Sequence, residues 1–341
     1  MKPEFEFDKN LKKYNTFSIA VSAKAFAIFK SEKELTNLLP AAKELNMPLL
    51  ILGGGSNLLF TKDFEGVILK NEIKGTEILS EDNDTVLVKC GAGESWHEFV
   101  LFCVSKGWAG LENLSLIPGT VGASPIQNIG AYGAEVKNTI ASVQTIEIES
   151  LLKKRFLTED CAFGYRDSIF KKVVKGKYVI TYVVFKLKKH AVINTSYGAI
   201  QEVLTEKNIT APTLRDVSNA VIQIRKSKLP NPAVMGNAGS FFKNPEIPEE
   251  QFNELKATHP DIPSFAGVKP GMVKVPAGWL IEQSGWKGKV VGHAGVHKMQ
   301  ALVLINYGGA TGEDIIQLSL DVRKSVQELF GIELEPEVNI I

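Results

Sequence analysis

The sequence has few of the features that mark secreted, membrane-spanning or disulfide-bonded proteins. It contains three cysteines, Cys90, Cys103 and Cys161, and none of them forms a Cys-x-x-Cys pair. This number and spacing predict reduced, unreactive thiols. No stretch approaches the roughly 18 consecutive apolar residues of a membrane span, and residues 1–17 lack the apolar core of a signal peptide. We therefore expect a cytoplasmic protein that does not bind membranes.

An excess of charge of either sign is also missing. Lys and Arg number 39 against 38 Asp and Glu, which gives a net charge of +1. Because nucleic-acid-binding proteins usually present a basic field, nucleic acid is not an expected partner. With 44% hydrophobic and 23% charged residues, the composition is that of a globular protein. The length of 341 residues exceeds the usual size of one domain, so we expect two or three domains.

Two common nucleotide-binding motifs and a histidine metal motif are absent. The segments 53–58 (GGGSNL) and 91–96 (GAGESW) both lack the last glycine of G-x-G-x-x-G, and no G-x-x-x-x-G-K-[ST] occurs. His293 and His297 are four residues apart, but neighbouring glycines argue against a shared helix and no third ligand accompanies them. A Rossmann site, a P-loop and a metal site are therefore not expected.

The spacing of apolar residues predicts alternating strands and helices. Ser31 and Thr311 begin helices with a capping pattern. The segment 332–341 alternates between apolar residues and glutamates, which indicates a strand, and Pro336 favours an edge position for it. Strands are predicted by the apolar runs Leu49–Leu52, Val86–Val88, Ser142–Ile148 and Tyr178–Leu187.

Glycine is the abundant residue, and its 29 copies cluster in turns that follow strands. The turns are 53–57, 91–93 and the long, nearly uncharged segment 111–133. Without side chains, backbone N–H groups can approach a pyrophosphate closely. A single such turn is more often ordinary turn chemistry. Three of them together favour a bound nucleotide cofactor.

Ser240 is a candidate proton donor. In the segment 236–245 (GNAGSFFKNP) it stands between glycines and two phenylalanines that would anchor it away from water. The same segment is equally compatible with a surface loop whose aromatic residues reach the core. Ser240-x-x-Lys243 also matches the S-x-x-K of penicillin-recognising acyl enzymes, although neither S-D-N nor K-T-G occurs. A serine hydrolase therefore remains an alternative.

Two charged residues are further candidates. Arg166 lies among aromatic and aliphatic residues in the segment 163–170 (FGYRDSIF), where it would hold a carboxylate or phosphate, or else pair with Asp167. The simplest interpretation of three alternating glutamates is the solvent-exposed face of a strand; they are Glu333, Glu335 and Glu337. If one of these carboxylates points inward, burial would raise its pKa, and it could then donate or accept a proton during a reaction.

Taken together, six segments in order along the chain resemble the UDP-N-acetylenolpyruvoylglucosamine reductase family of flavoenzymes. They are Leu52–Phe60 (LGGGSNLLF), Leu116–Gly133 (LIPGTVGASPIQNIGAYG), Phe163–Phe170 (FGYRDSIF), Gly236–Pro245 (GNAGSFFKNP), Ala277–Gly288 (AGWLIEQSGWKG) and Leu334–Val338 (LEPEV). The resemblance spans nearly the whole chain.

The resemblance implies an α+β protein whose FAD-binding fold is of the vanillyl-alcohol-oxidase-like (PCMH) type. It implies two FAD-binding subdomains at 1–73 and 74–225, an α+β substrate-binding domain at 226–331, and a C-terminal strand at 332–341 that carries the active-site glutamate. It further implies an oxidoreductase of peptidoglycan precursor synthesis, and hence of cell-wall growth, cell shape and division. NADPH and the substrate would share one site, on a protein expected to be a monomer.

The implied reaction is the reduction of UDP-N-acetylglucosamine enolpyruvate to UDP-N-acetylmuramate, with NADPH as donor, hydride transfer from FAD to C3, and a proton to C2. By resemblance Ser240 donates that proton, and Arg166 and Glu337 stabilise the intermediate. Tyr197, Lys228 and Asn244 would contact the diphosphate and Gln300 the uridine. The implied FAD contacts are Gly53, Gly54, Gly55, Ser56, Asn57, Ile117, Pro118, Gly119, Thr120, Gly122, Ala123, Ser124, Asn128, Gly130, Ala131, Tyr132 and Gly133.

One position departs from the family pattern. Phe265 stands where well-studied members with the same motifs have a substrate-contacting tyrosine, so one substrate hydrogen bond is expected to be missing. A further alternative, from a different class, is a flavin-binding or nucleotide-binding module without turnover.

Overall fold

The computed structural model describes residues 4–190 and 193–341, so parts of the two predicted FAD-binding subdomains, residues 1–3 and 191–192, lie outside the described residues. The helices are α1 Glu32–Glu44, α2 Trp96–Ser105, α3 Gly198–Glu206, α4 Leu214–Lys228, α5 Glu249–Thr258, α6 Ala277–Gln283 and α7 Gly312–Phe330. The strands are β1 Glu6–Asn10, β2 Ser22–Phe29, β3 Leu49–Leu52, β4 Leu58–Leu59, β5 Phe64–Asn71, β6 Thr76–Glu81, β7 Thr85–Gly91, β8 Gly130–Ala131, β9 Ala134–Glu135, β10 Ile140–Glu147, β11 Lys153–Leu157, β12 Tyr178–Lys188, β13 Glu246–Pro248, β14 Phe265–Ala266, β15 Met272–Lys274, β16 Val290–Val291, β17 Ala294–Val296, β18 Leu304–Asn306 and β19 Asn339–Ile340.

The chain divides into two compact units, and it passes between them more than once. The first unit contains the described residues up to Lys9 together with Ala23–Gly54 and Glu65–Ser227. The second unit contains Asn10–Ser22, Gly55–Phe64 and Lys228–Ile341. The division of the chain into segments 1–73, 74–225, 226–331 and 332–341 stays a prediction.

Two sheets build the first unit. A four-stranded sheet has the order β1-β2-β5-β3, with β3 and β5 parallel. Helix α1 packs on it through Leu35 and Leu38, and the hydroxyl of Ser31 accepts the first free N–H of the helix, from Glu34. A five-stranded antiparallel sheet has the order β11-β10-β12-β7-β6. All four predicted strands occur in these sheets.

The five-stranded sheet carries the main core of the first unit. Trp96 and Phe99 of α2 pack on Phe185 of β12, with ring centroids 6.1 and 4.9 Å from it. Cys90, Cys103 and Cys161 are free and buried in this core, as predicted. Burial raises the pKa of the Cys90 and Cys161 thiols to about 12. These thiols therefore stay protonated and unreactive at neutral pH.

The second unit combines small sheets with α7. The sheets have the orders β13-β15-β14 and β16-β17-β18. Thr311 and Asp314 form a complete capping box at the start of α7, and Gly331 ends the helix with φ of 65°. These caps agree with the sequence pattern. Among the helices within 4–190 and 193–341, none has the length and apolar content needed to cross a bilayer.

The C-terminal strand is shorter than the predicted segment 332–341. Only Asn339–Ile340 is a strand, and it pairs in parallel with β4. Leu334 and Val338 are buried as the alternation predicts, but Ile340 is 48% exposed. Before this strand, Pro336 forms an isolated antiparallel bridge with Phe242, in which the N–H of Glu337 donates to the carbonyl of Phe241. The predicted catalytic Glu337 consequently lies before the strand rather than in it.

Candidate active site

Two glycine turns, about 65 residues apart in sequence, are packed backbone to backbone in the first unit. A Cβ added to Gly54 would lie 2.8 Å from the Cα of Gly119, and a Cβ added to Gly53 would lie 2.8 Å from the Oγ1 of Thr120. Gly119 has φ of 120°, a conformation that favours glycine. The first two residues of the 53–57 turn therefore meet the loop at 117–124, as a shared cofactor site would require.

The third glycine turn, 91–93, supports the same loop. The N–H of Gly122 donates to the carbonyl of Ala92 at 2.9 Å, and a Cβ on Gly122 would lie 2.5 Å from the Cβ of Ala92. The N–H of Trp96 donates to the carbonyl of Gly119 at 3.1 Å. Ser124 is buried, and its hydroxyl donates to the carbonyl of Val121 at 2.8 Å. Ile117, Pro118 and Ala123 complete this loop.

The loop continues to residue 133, and its second half, 125–133, is hydrogen-bonded to the segment 163–170. The Nδ2 of Asn128 donates to the carbonyl of Gly164 at 2.9 Å, and the Oγ of Ser168 donates to the carbonyl of Ile126 at 2.6 Å. The hairpin β8–β9 follows, and Tyr132 and Gly133 form its turn, both with positive φ. Two sequence motifs that resemble the same family are thus brought together. Ala131 lies in β8.

Arg166 lies against this loop. Its Nη2 donates to the carbonyl of Gly130 at 2.7 Å, and its guanidinium carbon is 5.4 Å from the ring centroid of Tyr165. A Cβ on Gly130 would lie 3.0 Å from the Nη1 atom of Arg166. The Asp167 carboxylate, the alternative partner considered for Arg166, forms an ion pair with Lys172. The half-buried Arg166 thus borders the loop predicted to bind the cofactor.

The remainder of the 53–57 turn belongs to the second unit. A Cβ on Gly55 would lie 2.0 Å from the carbonyl oxygen of Tyr14, and φ of Gly55 is 65°. The Nδ2 of Asn57 is 3.4 Å from the carbonyl oxygen of Glu337, and the carbonyl of Asn57 accepts from the N–H of Asn339 at 3.1 Å. Ser56, between them, is half-buried. The division between the units therefore falls inside this turn.

Ser240 lies in the second unit on a rigid segment. Phe241 and Phe242 beside it are 0% and 1% exposed, and their ring centroids are 5.1 Å apart. Gly239 has φ of 73°, and its N–H donates to the Oδ1 of Asn237 at 3.0 Å. The predicted anchoring of a half-buried hydroxyl by two buried rings is therefore present. The backbone of Ser240 pairs with that of Val303.

The geometry disfavours the serine hydrolase reading. Ser240 and Lys243 lie on an extended segment, where residues three apart point to opposite faces. The Nζ of Lys243 forms an ion pair with Glu335 at 2.8 Å. The amine of Lys243 is therefore directed to Glu335.

The three C-terminal glutamates have different surroundings. Glu333 pairs with Arg323 at 2.8 Å and Glu335 pairs with Lys243, and both carboxylates are exposed. Glu337 is half-buried, and its N–H donates to the carbonyl of Phe241 at 2.7 Å. Two of the three carboxylates thus pair with cations on the surface. The backbones of Glu335 and Glu337 are both tied to the Ser240 segment, because the carbonyl of Glu335 accepts the N–H of Lys243 at 3.0 Å.

The predicted substrate contacts lie in both units. Tyr197 is 47% exposed at the start of α3, and its ring meets that of Tyr132 edge to face at 5.2 Å. Lys228 is exposed at the end of α4. In the second unit Oδ1 of Asn244 accepts the N–H of Ala277 at 3.0 Å.

Gln300 and Phe265 complete the positions singled out from the sequence. The Oε1 of Gln300 accepts the N–H of Leu302 at 3.3 Å, which fixes the side-chain amide. Phe265 lies in β14 and is 60% exposed. The exposed ring is accessible to a ligand and carries no hydrogen-bonding group. Among the described residues, no group of three His, Cys, Asp or Glu side chains is arranged to hold a metal ion.

Sequence reasoning did not single out His97 and Arg225. Both contact Leu116, the residue immediately before the 117–124 loop. Each stands on a helix outside the glycine motifs, so only the tertiary structure brings them to the loop.

The residues fit FAD. The N–H groups of the 91–93 turn donate to carbonyls of Gly75, Thr181 and Ile73, so that turn supports the loop. Gly53, Gly54 and Gly119 carry no side chain, and the hydroxyl of Thr120 lies where the 53–57 turn meets the loop 117–124. Such a bare backbone is the chemistry that a pyrophosphate requires.

Comparison with known families agrees with this fit. A family model described as "FAD binding domain" matches residues 23–149. A second family model, "UDP-N-acetylenolpyruvoylglucosamine reductase, C-terminal domain", matches residues 231–341. The fold and the glycine turns define an α+β FAD-binding oxidoreductase.

Curated relatives extend the comparison to nearly the full chain. A UDP-N-acetylenolpyruvoylglucosamine reductase from Flavobacterium johnsoniae is 52% identical, over 99% of this chain and 100% of the relative. Reductases of the same name from Amoebophilus asiaticus and Chromobacterium violaceum are 50% and 49% identical, over 97% and 99% of both chains. The chain belongs to the UDP-N-acetylenolpyruvoylglucosamine reductase family.

A solved structure matches the whole chain. The crystal structure of UDP-N-acetylenolpyruvylglucosamine reductase from Thermus caldophilus is 24% identical, with a TM-score of 0.66, and the match covers 100% of this chain and 99% of that one. At this identity the match concerns the fold, which is the fold that the sequence motifs predict.

The contact between the glycine turns generates the first prediction. Gly54→Ala should weaken FAD binding about tenfold or more, because the new methyl group would push the Gly119 turn away at a cost of about 1–3 kcal/mol. The measurement is the dissociation constant of FAD from the full-length protein, obtained by flavin fluorescence. Gly198→Ala is the matched control, since nothing lies within 4 Å of a Cβ there. Equal FAD affinity in the two variants would contradict the role assigned to the turn.

Proposed function

We propose that the protein is a UDP-N-acetylmuramate dehydrogenase, which uses NADPH to reduce UDP-N-acetylglucosamine enolpyruvate to UDP-N-acetylmuramate in peptidoglycan precursor synthesis. The observation that carries the proposal is its family membership, with 52% identity over 99% of the chain to a reductase of this name. The match of residues 23–149 to an FAD-binding domain supports the cofactor. Substrate and donor are nucleotides of the cytoplasm, where we propose that the protein acts as a monomer.

FAD bound at this site would supply the hydride-transfer chemistry that links NADPH to C3 of the enolpyruvyl group. Hydride addition leaves negative charge spread from C2 into the substrate carboxylate. A fixed guanidinium is suited to hold this charge, and preorganised groups of this type contribute about 2.7–4 kcal/mol each. We assign this task to Arg166, whose hydrogen bond to the carbonyl of Gly130 fixes it beside the proposed cofactor loop.

Ser240 is assigned as the donor of the proton that C2 receives. An aliphatic hydroxyl is a weak acid in water, but the carbanion-like C2 is a strong base. The two buried rings that follow Ser240 hold its backbone in place, so the hydroxyl can be aimed without reorganisation during the reaction. After proton transfer the product carries a C–H bond at C2 and at C3, and the serine oxygen must recover a proton from solvent.

Glu337 is assigned as the carboxylate that acts with Arg166 on the intermediate. Its half-buried position supports this role over Glu333 and Glu335, which are exposed. Because Glu337 directly follows Pro336, the chain direction at this point is restricted by the fixed φ of proline.

Four polar side chains are assigned to the substrate nucleotide. Tyr197, Lys228 and Asn244 would contact the diphosphate and Gln300 the uridine. Asn244 and Gln300 each have their side-chain oxygen engaged by a backbone N–H, which orients their amide nitrogens. Lys228 contributes the compact positive charge that a phosphate attracts.

The role of Ser240 generates the second prediction. Ser240→Ala should leave the reduction of bound flavin by NADPH nearly unchanged, because that half-reaction needs no proton from the serine. Reoxidation of the flavin by the enolpyruvyl substrate should slow about 10²–10⁴-fold. Stopped-flow absorbance of the flavin measures both half-reactions. Ser284→Ala removes a hydroxyl that donates to the carbonyl of Leu280 and serves as the control. Equal losses in both half-reactions would contradict the assignment.

Phe265 generates the third prediction. Phe265→Tyr should lower KM for the UDP-sugar about two- to tenfold, because the added hydroxyl can make the hydrogen bond that phenylalanine cannot. The value of kcat should change little, since the contact is made equally in the ground and transition states. Phe7→Tyr is the matched control, because Phe7 and Phe265 are both 60% exposed. An unchanged KM in Phe265→Tyr would rule out a substrate contact at this position.

A further inference from the structure

Leu116 is an unusual residue at the entrance to the loop assigned to FAD. It has φ of 58°, in the left-handed region that side chains with a branched γ carbon seldom adopt. It directly precedes Ile117, the first residue of that loop. A leucine with a left-handed backbone is strained, so it is stable only when contacts with neighbouring groups hold it in that conformation.

Two side chains hold the backbone of Leu116, one on each side. The N–H of Leu116 donates to the Nδ1 of His97 at 2.9 Å, and the Nε of Arg225 donates to the carbonyl of Leu116 at 3.0 Å. His97 lies on α2 and Arg225 on α4, so two helices distant in sequence fix one residue. Both polar groups of Leu116 are thereby satisfied by side chains rather than by regular secondary structure.

Arg225 also reaches the other end of the same loop. Burial raises the pKa of the Tyr132 hydroxyl, and the Arg225 guanidinium opposes that rise. The ring of Tyr132 in turn packs edge to face on Tyr197 at 5.2 Å. One cation on α4 therefore donates to the residue before the loop and acts electrostatically on a tyrosine in its last turn.

We propose that His97 and Arg225 are positioning residues for FAD, which hold Leu116 and Tyr132 so that the loop 117–133 is shaped for the cofactor before it binds. The inference rests on the proposed assignment of this loop to FAD. Neither side chain needs to touch the cofactor, because both act through the backbone and the tyrosine that they hold. Preorganisation of this kind raises affinity by removing the cost of ordering the loop on binding.

The contact with Leu116 requires neutral His97. Because Nδ1 accepts the N–H of Leu116, the ring proton resides on Nε2. The charged groups that act on His97 are Glu98 on its own helix and Lys226 and Arg225 on α4. Burial first, and then the two cations, lower the pKa of His97, while Glu98 opposes them. The neutral form is thus the resident form at neutral pH.

Protonation would replace the acceptor by a second donor facing the N–H of Leu116. A histidine whose pKa is lowered on folding contributes stability that is complete above its unfolded pKa of about 6.5 and is lost as the pH falls through its folded pKa. FAD affinity that depends on this hydrogen bond should fall in the same direction. Histidines titrate between about pH 5 and 8, and we expect the loss of FAD affinity in the acidic part of this range.

The test is an FAD titration of the full-length apoprotein across that pH range, followed by flavin fluorescence. At neutral pH His97→Ala should raise the dissociation constant about tenfold, the equivalent of one lost hydrogen bond. His97→Asn should restore affinity, since its Oδ1 can replace Nδ1, and should abolish the weakening at acidic pH seen in the unmodified protein. Arg225→Met should raise the dissociation constant at least as much, whereas Lys226→Met, which removes the neighbouring charge on α4, should not.

A second readout needs no cofactor. In the apoprotein, amide hydrogen exchange at Leu116 should accelerate in His97→Ala and return toward the unmodified rate in His97→Asn. Should His97→Ala fail to fold, the pH dependence of FAD binding in the unmodified protein and in His97→Asn still tests the inference. A flat profile in the unmodified protein overturns it.

The control variants distinguish a failure of the positioning role from a failure of the proposed FAD site. Unchanged FAD affinity in His97→Ala and Arg225→Met, alongside weakened binding in Gly54→Ala, would overturn the positioning role and leave the glycine site standing. Unchanged affinity in all three variants would overturn the proposed site. A fall in thermal stability of His97→Ala with no change in FAD affinity would show a structural role only and would likewise overturn the inference.

Discussion

The close approach of two backbone segments is the constraint on which the first unit depends. Gly54 and Gly119 are so near that a single methyl group on Gly54 would lie 2.8 Å from a Cα atom. The contact requires glycine because no side chain can be accommodated between the turns. It joins the end of β3 to a loop that carries no regular strand or long helix of its own. That loop is then held by hydrogen bonds to the turn at 91–93 and to the segment 163–170, so its shape is determined from three directions.

This construction explains how a chain of net charge +1 can serve anionic ligands. FAD, NADPH and UDP-sugars all carry phosphates, but the protein has no general basic field to attract them. Recognition must come from local groups. In the first unit we propose the glycine backbone and Arg166 for this task, and Arg166 adopts a left-handed conformation with φ of 53° beside Gly130. A backbone amide is a donor without net charge, so a site built from glycine turns leaves the overall charge balance unaffected.

Much of the local structure was predictable from the sequence because its causes are local. The strands β3, β7, β10 and β12 follow from apolar runs, and the capping box at Thr311 follows from a four-residue pattern. The predictions that the structure corrects depend on contacts between residues that are distant in sequence. The segment 332–341 has the alternation of a strand, yet only Asn339–Ile340 is one, and Pro336 forms an isolated bridge with Phe242.

The candidate site divides in the same way. Ser240 and Arg166 could be proposed from the sequence because each lies in a distinctive motif whose neighbours indicate its environment. His97 and Arg225 could not be found, since a histidine and an arginine on ordinary helices have no local signature, and their meeting at Leu116 depends on the packing of α2 and α4. The division of the 53–57 turn between two units was equally hidden, because it reflects where the chain passes between them.

The central claim is that this chain transfers reducing equivalents through FAD to an enolpyruvyl ether. The most direct test is to incubate the purified, flavin-loaded protein with NADPH and UDP-N-acetylglucosamine enolpyruvate and to follow the sugar nucleotide by mass spectrometry. We expect the mass to increase by two hydrogens, with one NADPH consumed for each product molecule. Oxidation of NADPH that leaves the sugar nucleotide unchanged, or a protein that cannot be loaded with FAD, would contradict the claim.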